Sequence, residues 1–134
     1  MTEAELIELL AELPDTDVLT ADEASGAPEI AWGDTFATYR GAKQPFATIV
    51  VKDYGDFDDA SQLDRDGVFR LNVHVGRERL QELVPEGGDV DPTAFDVVMP
   101  HPVYAAQGWA AIVNPGEQAR ELIAFAHARA AARR

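Results

Sequence analysis

A chain of 134 residues with 46% hydrophobic positions has room for one core, and it reads as a single domain over residues 1–134. Its 24 acidic residues against 11 basic ones give a formal charge of −13, a field that repels polyanions and argues against nucleic acid as a general partner. Cysteine is absent, which removes disulfides, thiol nucleophiles and thiolate-bound zinc.

Thr2 with Glu5 three residues on makes a capping-box pattern, and Leu6, Leu9, Leu10 and Leu13 follow on one helical stripe up to Pro14. This start is acidic where a secretory signal is basic, and no apolar run nears the roughly 18 residues of a membrane span. The expectation is a soluble cytoplasmic protein with no membrane contact. Residues 18–21, 32–39, 46–52 and 68–75 are short β-prone stretches between Gly, Pro and Asp clusters, which predicts an antiparallel meander. Within 68–75, alternation puts Phe69, Leu71, Val73 and Val75 on one face and Arg70, Asn72 and His74 on the other. That polar row reads either as solvent-exposed or as facing a ligand.

Leu80, Leu83 and Val84 at helical spacing predict a middle helix over 76–84 that stops at Pro85, followed by a loop over 86–92. Then comes the run Met99-Pro-His-Pro-Val-Tyr-Ala-Ala-Gln-Gly-Trp109. Two prolines hold His101 in extended backbone ahead of a Trp-led strand over 109–113. Asn114 has the form of an N-cap, with Pro115 at the first helical position and Glu117 closing the box. Ala119, Leu122, Ile123, Ala126 and Ala130 then form the apolar stripe of a closing helix. Arg129, Arg133 and Arg134 complement its dipole. The sum is an α+β fold: an antiparallel sheet of about five strands, three helices on one face and the other face partly open.

The segments Phe46-Ala-Thr-Ile-Val-Val-Lys-Asp-Tyr54, Gly67-Val-Phe-Arg-Leu-Asn72 and Pro100-His-Pro-Val-Tyr-Ala-Ala-Gln-Gly-Trp109 resemble a family of small bacterial proteins, of actinomycete type, that carries only a domain-of-unknown-function label. That resemblance runs nearly end to end and implies a fold but no activity. More distantly, the element order is similar to the YjbR (MmcQ-like) domains, a group for which DNA binding has been suggested. The acidic chain lacks the basic stripe that phosphate contacts require.

Candidate chemistry is sparse. His74, His101 and His127 fall on a strand, a Pro-rich loop and the last helix with no paired ligand spacing, so no metal is expected. Asp53, Asp56, Asp58, Asp59, Asp64 and Asp66 crowd one loop without the calcium-loop register, and read as turn formers. Neither serine, Ser25 or Ser61, lies in a nucleophile elbow, and no glycine pattern signals a dinucleotide or nucleoside triphosphate, so no cofactor is expected. The candidate binding residues are Trp32, Arg70, Asn72, His101, Tyr104 and Trp109, aromatic and polar types on stiff segments. The leading expectation is a non-catalytic domain, monomer or homodimer, that binds a small anionic or carbonyl-bearing molecule or a protein partner. The alternative is an enzyme with His101 as general base beside a carboxylate such as Asp34. DNA binding by fold analogy comes third.

Overall fold

A computed structural model describes residues 1–84 and 90–133. The elements in chain order are α1 (Glu3–Ala11), β1 (Thr16–Thr20), β2 (Thr35–Tyr39), β3 (Ala47–Val50), β4 (Arg70–His74), α2 (Arg77–Leu83), β5 (Met99–Pro100), β6 (Trp109–Val113) and α3 (Ala119–Ala132). The strands form one antiparallel sheet in the order β1-β2-β3-β4-β6-β5. The first four are the expected meander. A sixth strand, β5, escaped the sequence reading because two residues are too few to show alternation. Pro100, with no N–H to give a ladder, suits its edge position.

The capping box of α1 is made as the sequence predicts: Thr2 Oγ1 accepts from the Glu5 N–H at 3.1 Å and Glu5 Oε1 accepts from the Thr2 N–H at 2.9 Å. Across the sheet, Ala37, Ala47, Val73 and Ala110 form one row, and Ile49, Leu71 and Ile112 the next. Leu6 and Leu10 of α1, Leu80 of α2, and Leu122, Ile123 and Ala126 of α3 share their buried cluster, so all three helices cover this one face. The small side chains of the alanine row let the helices come close. On the other face, Val50, Ala111 and Val113 meet Leu63, Val68 and Met99, so loop 51–69 closes part of it and leaves the rest as a cleft. Among the described residues no helix is long and apolar enough to cross a membrane.

Two expectations are corrected. Trp32 does not begin a strand: Glu29–Ala31 form a 3-10 turn, Gly33 sits at φ +92°, and β2 starts only at Thr35. Asn114 does not cap α3. Its side chain accepts from the Phe69 N–H (3.0 Å) and donates to the Gly67 carbonyl (2.9 Å), tying the end of β6 to the approach of β4. Gln118 stands at the N-cap of α3 without a side-chain bond, and Glu117 pairs with Arg120 instead. Pro85, the 86–89 part of the predicted loop and Arg134 lie outside the described residues.

Candidate functional site

Alternation along β4 turns Arg70 and Asn72 away from the helices, yet neither meets open water: Arg70 is 0% exposed. Loop 51–69 lays Asp58 and Ser61 over the guanidinium. Arg70 Nη1 donates to Asp58 Oδ1 at 3.0 Å and to Ser61 Oγ at 3.1 Å, Nη2 to Asp58 Oδ2 at 2.5 Å, and Nε to Asn72 Oδ1 at 2.8 Å. Asn72 in turn donates to Thr48 Oγ1 on β3 at 3.0 Å. The fork-to-fork pairing matches the guanidinium charge with one carboxylate inside the fold. Arg70 and Asn72 of the β4 polar row are therefore a buried network rather than a solvated face, and His74 stands outside it.

His101 stands against this network from the far side. Its Nδ1 accepts from the N–H groups of Val103 and Tyr104, each at 3.0 Å. The ring thus does for the turn into the 3-10 segment Ala105–Gln107 what a Ser or Asp side chain does at a helix N-cap, with Pro102 at the position whose N–H has no partner anyway. Backbone N–H groups only donate, so Nδ1 carries the lone pair and the ring proton sits on Nε2. Nε2 lies 3.2 Å from Arg70 Nη2 and 4.0 Å from Asp58 Oδ2. Burial first, then the Arg70 charge, push the His101 pKa down to about 4, against a smaller opposing pull from Asp58. At neutral pH the ring is uncharged and Nε2–H is a donor.

Above the polar network opens a cleft of about 470 Å³. Thr48, Val50 and Asn72 contribute to its sheet side, and Phe36, Tyr54, Phe57, Tyr104 and Trp109 give it aromatic walls. These are five of the eleven Phe, Tyr and Trp residues in the chain. The Phe57 and Tyr104 rings stand 6.1 Å apart at the mouth and are 62% and 43% exposed. Trp109 is held flat by the His74 ring stacked on it at 4.9 Å, and His74 Nε2 is fixed by the Gln107 carbonyl at 2.8 Å. Tyr54 donates its hydroxyl to the buried Asp34. Burial and that carboxylate drive the phenol pKa upward, so Tyr54 stays protonated.

Of the residues singled out from sequence, Arg70, Asn72, His101, Tyr104 and Trp109 line this one cleft. Trp32 does not. Its indole N–H donates to the Ala27 carbonyl at 2.9 Å, beside the 3-10 turn. The carboxylate near His101 is Asp58, whereas Asp34 serves Tyr54, the Val51 N–H and Lys52. Within the aspartate-rich loop, Asp53 Oδ1 accepts from the Leu63 N–H and Asp64 Oδ1 from the Asp53 N–H, which is turn chemistry. Among the described residues no group of three or more His, Asp or Glu side chains is placed to hold a metal. His127 is spent between Tyr39 and Phe46, with Nε2 on the Pro14 carbonyl at 2.8 Å.

The sequence reading missed Asp58, Ser61, Thr48 and Phe57. Phe57 offered a signal, a large apolar ring stranded among acidic turn formers; the other three offered none, because their partner Arg70 or Asn72 is distant in sequence.

A family model described as "Family of unknown function (DUF6194)" matches residues 1–134. No curated protein and no solved structure matches the chain.

Proposed function

We propose, from the premise that the chain belongs to DUF6194, a family of unknown function, that it binds a small ligand by stacking a planar, uncharged ring in the aromatic cleft, without catalysis. One observation carries this reading: the charge beneath the cleft is already cancelled by Asp58, while five aromatic rings wall the space above it. Arg70 is thus a poor anchor for an anion, which would have to displace a bidentate carboxylate. The polar end instead offers a donor, the His101 Nε2–H, which suits a carbonyl or ring-nitrogen acceptor on the edge of the ligand, while Arg70 beneath it is fully buried.

The enzyme alternative has little support in this geometry. A general base needs a lone pair toward its substrate, and the one lone pair of the His101 ring is held by two backbone amides. DNA binding by likeness to YjbR domains rests on element order alone, against a charge of −13.

The test is a thermal-shift and two-dimensional NMR screen of the full chain against uncharged heteroaromatic carbonyl compounds. A ligand of the proposed class moves the Trp109 indole N–H resonance, leaves that of Trp32 in place, and loses its effect in the Phe57→Ala, Tyr104→Ala double variant. Equal responses in the parent and the double variant would overturn the reading.

A further inference from the structure

A second cleft, of about 400 Å³, lies between the β2–β3 turn and the end of α3, lined in part by Lys43, His74, Arg129 and Arg133. Among the described residues no carboxylate lines it, in a chain with 24 acidic residues. Among the described residues, none of its three cations has an acidic partner within 4.0 Å, which holds also for Arg65 and Arg77, whereas Arg40, Lys52, Arg70, Arg79 and Arg120 each have one. Cations in the last turns of a helix offset its dipole, which accounts for Arg129 and Arg133. It does not account for Lys43, which sits on a strand turn and faces the same space.

Arg129 also borders a neighbouring hollow that Gly76, Glu78 and Glu82 line with it. A Cβ at Gly76, where φ is +88°, would stand 2.8 Å from Arg129 Nε, so the absence of a side chain there gives the guanidinium its seat. The backbone of Gly76 is pressed on that of Gly108, whose carbonyl accepts from the Val75 and Gly76 N–H groups, and Gly108 leads directly into Trp109. Gln44 and Pro45 line both clefts, and the stacked pair His74 and Trp109 puts one ring on each. Burial foremost lowers the His74 pKa against an opposing pull from the Gln107 carbonyl, and Arg129 and Arg133 add to the lowering.

We propose that this basic cleft binds the phosphate or diphosphate of a small phosphorylated molecule. Its planar ring occupies the neighbouring aromatic cleft, a part of the inference that rests on the function proposed above. Three cations without a carboxylate partner exceed what a single carboxylate needs and match a multiply charged anion. A small ligand fits better than a nucleic acid, because a strand continuing past the cleft meets the repulsion of a strongly acidic surface.

Titration calorimetry on the full chain at low ionic strength tests this with inorganic pyrophosphate and with a panel of nucleosides and their 5′-diphosphates. Pyrophosphate alone binds, its affinity falls as salt rises, and the Lys43→Ala, Arg133→Ala double variant loses about tenfold or more. At least one 5′-diphosphate binds about tenfold tighter than its nucleoside. A double variant that titrates like the parent, or a single-stranded oligonucleotide that binds where pyrophosphate does not, overturns the proposal. The Phe57→Ala, Tyr104→Ala variant separates the two readings. If it keeps pyrophosphate and also keeps the nucleoside, the basic cleft stands and the aromatic reading falls.

Discussion

Leu71 and Arg70 are neighbours on β4, both 0% exposed, and the sheet treats them in opposite ways. Leu71 lies in a row with Ile49 and Ile112 beneath the helices, where leaving water is itself the gain, about 2 kcal/mol for such a side chain. Arg70, on the opposite face, loses its hydration and has to recover it from Asp58, Ser61 and Asn72, each presented at a fixed distance. Ion-pair attraction inside a fold roughly offsets the desolvation of the two charges. One face of the sheet therefore supplies stability, and the other uses structure to hold polar groups still at the base of a cleft.

The largest effect follows from that difference. Arg70→Ala leaves the Asp58 carboxylate and the Ser61 hydroxyl without their donor in a dry place and is expected to cost about 3–5 kcal/mol in urea unfolding. Leu71→Ala falls in a similar range, about 2–5 kcal/mol, for the different reason that it opens a cavity. Restoring neutrality separates the two. An Arg70→Met, Asp58→Leu double variant recovers the share of the loss due to the stranded carboxylate, since an apolar pair needs no partners, while the Ser61 hydroxyl and Asn72 Oδ1 stay without their donor; no second substitution nearby refills the Leu71 space so simply. If the double variant is as unstable as Arg70→Ala, the polar face is not the self-cancelling arrangement described above.

Next in size is His101→Ala, which deprives two backbone N–H groups of their acceptor, at about 1 kcal/mol each. It also has a pH signature. The native ring titrates at about 4 against an ordinary value of 6.5, so between those values the unfolded chain holds the proton and the native chain does not. Stability then rises with pH: the contribution is complete above about pH 6.5 and is lost as pH falls to 4, a span of about 3 kcal/mol. Burial moves His74 in the same direction, so the readout is the difference in unfolding free energy between parent and His101→Ala along the pH series. A difference that stays constant from pH 4 to 7 would contradict the buried neutral ring.

The same contrast explains what the sequence made legible. The helix-covered face announces itself because its rules are local: the Thr2–Glu5 box, the leucine stripe of α1, and the alternation that puts Leu71 and Val73 together. The Pro-His-Pro run likewise marked His101 as a posed residue, though nothing local said that one edge of the ring would cap a turn. Pairing on the other face is long-range. Asp58 meets Arg70 across twelve residues and Asn72 meets Thr48 across twenty-four, distances over which composition carries no register. Asn114 shows the conflict directly: its local setting is that of an N-cap, but the Phe69 N–H, forty-five positions away, claims its side-chain oxygen. Trp32 failed for a related reason, since Gly33 turns the chain before the strand begins.

The smallest expected effect on stability bears most directly on what the cleft is for. Phe57 and Tyr104 stand 62% and 43% exposed at its mouth, so removing either ring gives up little buried area and should change unfolding free energy by less than about 1 kcal/mol. Phe125 provides the matched control on the helix side of the molecule: it is 39% exposed, and its ring lies 4.9 Å from the Arg79 guanidinium. All three alanine variants should unfold near the parent. Only the first two should abolish the movement of the Trp109 indole resonance when a planar carbonyl ligand is added. Rings kept for packing would cost stability and leave binding unmoved; rings kept for a ligand do the reverse. Loss of the ligand response in Phe125→Ala as well would mean that the effect spreads through the fold, and the two faces could no longer be assigned separate tasks.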